Sequence, residues 1–161
     1  MDSRRLVVVR HAKSAWPDDV PDPQRPLNAR GRRDAPAAGR WIRDRLGQVD
    51  AVVCSPAART RQTWALIASE LDEPPAPVFD DRVYAASVET LLAVVRWISD
   101  DLGSALVVGH NPGVAELVIS LTGEHVEMKT SAIAVLGLTG SWADAAPGRV
   151  RLIEQSTPRG S

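Results

Sequence analysis

The sequence predicts a single layered α/β domain, and three observations support this prediction. Short apolar runs typical of β-strands alternate along the chain with longer stretches of helical spacing. The chain has 161 residues, which fits one domain and suffices to bury a core without a metal or a disulfide. Hydrophobic residues make up 44% and charged residues 24% of the sequence, as is usual for globular domains. Disordered, collagen-like and coiled-coil architectures are therefore disfavoured.

The chain is expected to begin with a buried strand and a long functional loop. Residues 6–9 form a continuous apolar run, which is typical of a strand covered on both faces. The polar, proline-rich stretch 10–27 is too long for an ordinary connection, and long ordered loops are usually functional. After this loop, Asn28 can cap a helix that ends at Gly47.

The rest of the chain continues the same alternation. The later elements are expected to be, in chain order, a strand at 51–54, a helix at about 57–71, an edge strand at 78–79, a helix from Ser87 to about Asp101, a strand at 105–109, a helix from Pro112 to Gly123, and strands at 133–138 and 149–153. We expect residues 1–155 to form the domain and 156–161 to be a flexible tail.

Charge and composition disfavour several classes of protein. Basic residues outnumber acidic ones by 13 to 7 in residues 1–63, whereas the remainder holds 6 basic and 13 acidic groups. Nucleic-acid binders are typically basic overall, but the net charge here is −1 and only 4% of residues are aromatic. No apolar run approaches the roughly 20 residues that span a bilayer, and there is no signal-peptide layout. The single cysteine, Cys54, suits a reducing compartment, so we expect a cytoplasmic protein with neither nucleic acid nor membrane as partner.

Three polar clusters directly follow three of the expected strands. They are Arg10-His11, residues 55–59, and His110-Asn111. Sites in open α/β sheets form at the carboxyl ends of strands, so these cations and imidazoles are placed to converge on one anion. The helix after the second cluster could add its N-terminal dipole and free N–H groups.

The two strand-end histidines have both catalytic and structural interpretations. A neutral imidazole at His11 would be a competent nucleophile toward phosphorus, with nearby arginines neutralising the phosphoryl oxygens. Alternatively, His11 could be a structural residue that binds a loop carbonyl, and His110 could cap the following helix. The three histidines and one cysteine of the chain show no metal-ligand spacing.

Other candidates carry weaker signals. Cys54 lies inside an apolar strand and is expected to be an inert core thiol. Ser55 lacks the Gly-x-Ser-x-Gly context of a serine hydrolase. Trp16 stands in the long loop five residues after His11 and could line a pocket there.

Three motifs in this order resemble those of a known family. Residues 10–12 (Arg-His-Ala) resemble an Arg-His-Gly signature, residues 55–63 a second motif, and residues 107–112 a third. Residues 25–31 look like the usual entry to the first long helix. The order and spacing agree over most of the chain with the histidine phosphatase (phosphoglycerate-mutase-like) superfamily. The chain most resembles the SixA-type phosphohistidine phosphatases.

The resemblance implies a fold and a set of roles. The fold would be a three-layer α/β/α sandwich with a mostly parallel central sheet, without metal or organic cofactor. His11 would be the nucleophile that becomes phosphorylated, Arg10 and Arg59 would clamp the phosphoryl oxygens, and His110 would donate to a nonbridging oxygen. The residues expected to bind substrate are Arg10, Ser14, Asn28, Arg59 and His110.

The sequence departs from the family pattern at positions that matter for proton donation. Ala12 replaces a common glycine, and Pro17 stands where mutase-like members often have an asparagine. Asn111 stands where the acid-phosphatase branch places an aspartic acid that donates a proton. Glu89 is the candidate for the acid of the mutase branch, although it also fits the first turn of a helix. The rival donors are Asp18, Asp19 and Asp22.

A site without a dedicated catalytic acid favours substrates whose leaving group needs no proton from the enzyme. General acid help is worth about 10²–10⁴ in rate for an alkoxide, whereas an imidazole leaving group can accept a proton on its other nitrogen. The leading hypothesis is therefore a phosphatase acting through phospho-His11 on phosphohistidine in a protein. The alternatives are a small-molecule phosphomonoesterase, with a phosphorylated metabolite as partner, and a non-catalytic phosphate-binding module. The sequence leaves the oligomeric state open.

Overall fold

The computed structural model describes residues 2–161 and contains one six-stranded sheet with helices on both faces. The strands are β1 (Arg4–Arg10), β2 (Ala51–Cys54), β3 (Pro77–Phe79), β4 (Ser104–Gly109), β5 (Ile133–Leu138) and β6 (Arg151–Ser156). The helices are α1 (Ala29–Leu46), α2 (Ala58–Ala68), α3 (Val88–Arg96) and α4 (Gly113–Thr122). Single-turn 3-10 helices lie at Asp22–Gln24, Asp81–Val83 and Trp142–Asp144.

The sheet is mostly parallel, with strand order β3-β2-β4-β1-β5-β6. The first four strands in this order run parallel to one another, and β5 is antiparallel to both of its neighbours. The sheet buries α1 and α2 on one face, where they pack on Val7, Val9 and Val108, and α3 and α4 on the other. The predicted three-layer sandwich is confirmed, and the continuous apolar strands follow from burial on both faces.

The ends of the helices show where capping residues in the sequence are enough to predict a boundary and where they are not. The side chain of Asn28 accepts the N–H of Gly31 and starts α1, which ends at Gly47 as predicted. In contrast, α2 and α3 end earlier than the apolar spacing predicts. Both helices finish in tight turns closed by i→i−3 hydrogen bonds, as from Leu71 N–H to the carbonyl of Ala68, and such turns do not continue an α-helix.

The sheet places three strand ends side by side. Arg10 is in register with Gly109, and Cys54 with Val108, so the residues that follow β1, β2 and β4 emerge at one edge. No helix within residues 2–161 is long and apolar enough to cross a membrane. Gly160, the residue before the last, donates its N–H to Asp34 on α1 at 3.0 Å, while flexibility of residues 156–161 stays a prediction.

Candidate active site

A cavity of about 220 Å³ opens at the carboxyl edge of the sheet. The residues that line it are Arg10, His11, Lys13, Ser14, Trp16, Arg25, Arg59, His110, Asn111 and Thr130. The structure therefore brings together the four residues of the predicted phosphoryl site, together with Ser14. Asn28 lies outside the lining and caps α1, and Glu89 is an exposed residue of the first turn of α3, also outside the lining.

His11 is held with one ring nitrogen bonded and the other free. Its side chain is only 6% exposed, and its Nδ1–H donates to the carbonyl of Ala12 at 2.7 Å. A neutral imidazole that donates from Nδ1 keeps a lone pair on Nε2, so we assign that tautomer. Burial, assisted by the charges of Arg59 and Arg10, lowers the pKa of His11 to about 3. The ring is therefore neutral and nucleophilic at Nε2 near neutral pH.

His110 has the opposite arrangement of ring nitrogens. Its ring centroid lies 5.3 Å from that of His11, and its Nε2 lies 2.7 Å from Ser55 Oγ. Ser55 Oγ accepts the N–H of Ala57 at 3.3 Å, and His110 Nε2 is the only acceptor within residues 2–161 for its own proton, so we assign that proton to the bond with Nε2. Nδ1 then carries the ring proton. Burial, with the charge of Arg59 second, lowers the pKa of His110 to about 4, so this ring is also neutral.

Three buried nitrogens of the site have no hydrogen-bond partner within residues 2–161. They are Arg10 Nε, Arg59 Nε and His110 Nδ1, and all three residues line the same cavity. An unpaired buried donor is costly, so native proteins rarely leave one without a ligand to receive it. Two guanidinium groups and one imidazole N–H thus belong to the lining of the cavity that also holds His11, and such groups are suited to bind an oxyanion.

Asp22 links the arginines of the site in a way that sequence reasoning did not assign. Its Oδ2 accepts Arg59 Nη2 at 3.0 Å and the hydroxyl of Tyr84, and its Oδ1 accepts Arg25 Nε at 3.0 Å. The Tyr84 hydroxyl, followed by the guanidinium groups of Arg59 and Arg25, holds the pKa of Asp22 well below its usual range. An ionised carboxylate shared by two arginines has no proton to donate near neutral pH.

Arg25 is a second residue whose place in the site the sequence did not predict. Its side chain is buried, and its Nη1 donates to Ser14 Oγ at 2.9 Å and to the carbonyl of Ala15 at 3.0 Å. Its guanidinium carbon lies 3.4 Å from the ring centroid of Trp16. A signal for this role does exist in the sequence, because Asp22 and Arg25 stand three residues apart inside a loop expected to be functional.

The other chemical candidates lie apart from the cavity lining or serve the core. Cys54 is buried in β2, and burial raises the pKa of its thiol to about 12, so it is a neutral thiol. Asp18 and Asp19 are exposed and do not line the cavity. Across the described residues 2–161, no group of three or more His, Cys, Asp or Glu side chains is placed to hold a metal ion.

Comparison with known sequences identifies relatives along nearly the whole chain. The family model described as "Histidine phosphatase superfamily (branch 1)" matches residues 6–82. An uncharacterized protein of Mycobacterium tuberculosis is 41% identical over 162 residues, which cover 94% of this chain and 100% of that protein. The phosphohistidine phosphatase SixA of Escherichia coli is 29% identical over 141 residues, which cover 85% of this chain and 87% of that protein.

Solved structures agree with these sequence matches. A protein provisionally assigned as a SixA phosphohistidine phosphatase from Nakamurella multipartitia has a TM-score of 0.87 at 35% identity, with 96% of each chain covered. The protein histidine phosphatase SixA complexed with tungstate has a TM-score of 0.84 at 25% identity, with 96% of this chain and 97% of that chain covered. The chain therefore belongs to the histidine phosphatase superfamily, and it is a phosphatase of SixA-like fold.

Proposed function

We propose that this phosphatase removes the phosphoryl group from phosphohistidine in a protein, through an intermediate in which His11 carries that group. The observation that carries the proposal is a set of three donors that have no partner within residues 2–161, Arg10 Nε, Arg59 Nε and His110 Nδ1, on residues that line one cavity with His11. A phosphoryl group has three nonbridging oxygens, and donors of this kind are suited to bind them. The relatives described as phosphohistidine phosphatases support this choice of substrate class.

In the first step, the lone pair of His11 Nε2 attacks phosphorus in line with the leaving nitrogen. The new N–P bond forms as the substrate's N–P bond breaks. The leaving nitrogen keeps the electron pair of the broken bond, and the other nitrogen of the departing imidazole takes a proton from solvent water. Because one N–P bond replaces another, the phosphoryl group is bonded to an imidazole nitrogen both before and after this step. Arg10, Arg59 and His110 stabilise the charge that spreads over the three oxygens during transfer.

In the second step, water attacks the phosphorus of phospho-His11. The oxygen of water forms the new bond, the N–P bond breaks, and neutral His11 and inorganic phosphate result. The carbonyl of Ala12 keeps its bond to Nδ1–H throughout, so the His11 ring has the same tautomer before it is phosphorylated and after it is released. His11 thus needs no rearrangement between the two steps.

The absence of a carboxyl group from the cavity lining favours a nitrogen leaving group. Of the ten residues that line the cavity within residues 2–161, none is an aspartate or a glutamate. Asp22 lies nearby, but its oxygens accept from Arg59, Arg25 and Tyr84. An alkoxide leaving group would lose the factor of about 10²–10⁴ that a general acid supplies.

The cavity is also open enough for a protein-bound substrate. Lys13 and Trp16 line it and are themselves exposed, so the phosphoryl site lies close to the molecular surface. A side chain presented on a folded partner could therefore reach Nε2 of His11 without entering a closed chamber. The proposed partner is a phosphorylated protein, and the proposed compartment is the cytoplasm.

The test compares two peptides of one sequence that carry phosphohistidine or phosphoserine. Under single-turnover conditions we expect phosphoenzyme formation to be at least about tenfold faster with phosphohistidine, a difference of about 1.4 kcal/mol in barrier. Glu89→Gln serves as the control and should leave the phosphohistidine rate unchanged. Faster reaction with phosphoserine, slowed by Glu89→Gln, would instead indicate a phosphomonoesterase with Glu89 as its acid.

A further inference from the structure

Trp16 stands at the mouth of the cavity with most of its ring in solvent. Its side chain lines the cavity, yet the residue is 76% exposed. The guanidinium carbon of Arg25 covers one face of the ring, 3.4 Å from its centroid. A large aromatic ring fixed beside a polar site and left open on its other side is typical of a binding surface.

The position of this ring is set by bonds in the loop beneath it. Arg25 is fixed by hydrogen bonds to Asp22 Oδ1, Ser14 Oγ and the carbonyl of Ala15. Ser14 also pairs with Leu27 as an isolated antiparallel bridge, which ties the two limbs of the loop together. Arg25 is therefore fixed before any ligand arrives, and it gives one face of the Trp16 ring an ordered contact, which lowers the cost of ordering the ring on binding.

In-line transfer sends the leaving group toward the mouth of the cavity, where this ring stands. His11 is buried behind the phosphoryl site, and the bond that breaks lies opposite the attacking Nε2. The leaving group must therefore point out of the cavity, toward its exposed rim. Trp16 supplies the only indole or phenyl ring in the cavity lining within residues 2–161.

We propose that Trp16, held by Arg25, is the surface on which the ring of the leaving group stacks. The site would then select phosphoryl donors whose leaving group is a planar ring, either the imidazole of phosphohistidine or an aryl group. Trp16 is thereby a specificity residue, and Arg25 positions it. This inference deepens the proposed function and rests on it for the direction in which the leaving group points.

A binding experiment tests the ring preference without turnover. Phenylphosphonate and methylphosphonate carry the same phosphonate group and differ in the ring. We expect Trp16→Ala to weaken phenylphosphonate binding about fivefold and to leave methylphosphonate binding nearly unchanged, because stacking alone is lost. Trp16→Phe should retain most of the affinity. Trp97→Ala is the matched control, since Trp97 is 80% exposed and lies outside the cavity lining.

Kinetics then separate the two proposals. With phenyl phosphate and acetyl phosphate as donors, Trp16→Ala should slow phosphoenzyme formation about fivefold for phenyl phosphate only. Equal weakening of both phosphonates, or of neither, would overturn the stacking role and leave Trp16 as a cover for Arg25. If the wild type forms no phosphoenzyme from any donor, the proposed function fails, while the phosphonate pair still decides whether Trp16 recognises a ring.

Discussion

His11 and His110 follow neighbouring strands of one sheet, and burial lowers the pKa of both, yet their free nitrogens are of opposite character. The carbonyl of Ala12 accepts from His11 and leaves a lone pair free, whereas the hydroxyl of Ser55 donates to His110 and leaves an N–H free. The difference lies in one hydrogen-bond partner for each ring. A carbonyl that accepts from one imidazole and a hydroxyl that donates to the other together assign a nucleophile and a donor.

The largest expected effect comes from removing each histidine in turn. His11→Ala should abolish the covalent phosphoenzyme, because no lone pair replaces Nε2. His110→Ala should still form it, but about 10²–10³ times more slowly, since one oxyanion donor is lost. Rapid quenching and measurement of acid-labile protein-bound phosphate distinguish the two outcomes. His125→Ala is the control, because His125 lies outside the cavity lining. Covalent phosphate on the His11→Ala variant would reverse the assignment.

The two arginines of the cavity lining extend the comparison to guanidinium donors, since the Nε of each has no hydrogen-bond partner within residues 2–161. We expect Arg10→Ala and Arg59→Ala each to cost more than about 2 kcal/mol in kcat/KM, as charge-assisted contacts to phosphate do. Arg59→Ala should be the more harmful, because it also leaves the carboxylate of Asp22, close to the phosphoryl site, with only one of its two arginines. Adding Asp22→Asn should recover part of that extra loss. A fall of less than threefold for both single variants would place the phosphate clamp elsewhere.

A smaller effect is expected from Ser55, which sets the tautomer of His110. Ser55→Ala should slow phosphoenzyme formation about tenfold, because His110 Nδ1 is no longer fixed as the protonated nitrogen. Thr60→Val is the matched control, since Thr60 is a buried hydroxyl in the same turn that donates to the backbone carbonyls of Ser55 and Ala57 rather than to a histidine. Nitrogen NMR of the His110 ring should show a mixture of tautomers in the Ser55 variant alone. An unchanged ring spectrum would contradict the role of Ser55.

The smallest effect is expected from pH near neutrality. With pKa values of about 3 for His11 and about 4 for His110, both rings stay neutral, so phosphoenzyme formation should change little between roughly pH 5 and 8. Its rate should fall only as pH drops toward these values, when protonation removes the lone pair of His11. A rate that falls with a midpoint near pH 6.5, the ordinary histidine value, would show that burial does not act on these rings as described.

The same shifts govern stability, with a sign that follows from proton counting. Below pH 6.5 the unfolded chain binds protons on these histidines that the folded chain excludes until about pH 3 to 4. The free energy of unfolding should therefore rise with pH through this interval and level off above it. The double variant His11→Asn, His110→Asn should show a shallower rise in denaturant titrations. An identical slope would contradict the burial of both rings.

The elements that carry the site could be predicted because their signals are local. Apolar runs marked β1, β2 and β4, and polar clusters marked their carboxyl ends, so Arg10, Arg59 and His110 were expected near His11. Asn28 shows the limit of such signals. A polar side chain after a loop fits a helix cap and a substrate contact equally well, and the structure uses its oxygen to accept the N–H of Gly31.

The rest of the site depends on contacts between distant parts of the chain. Asp22 bonds Arg59, which is 37 residues away in the sequence, and Tyr84, which is 62 residues away. A proline-rich loop has no periodicity from which either pair could be predicted. Which nitrogen of His110 is protonated depends on Ser55, 55 residues earlier. Spacing can bring residues to one edge of a sheet, but hydrogen-bond direction requires the three-dimensional arrangement.

The central place of β1 has a consequence for backbone dynamics. This strand lies between β4 and β5. At its last residue the N–H of Arg10 donates to the carbonyl of Ala132, and just beyond it the N–H of His11 donates to the carbonyl of Gly109. Exchange of these amide hydrogens with solvent requires neighbours on both sides to open, as in the slowest-exchanging cores. The exposed residues 17–19 of the long loop, beyond the part that Arg25 and the Ser14–Leu27 bridge hold, can open locally at lower cost. Deuterium uptake should therefore be slow at the amides of Arg10 and His11 and faster at those of Asp18 and Asp19.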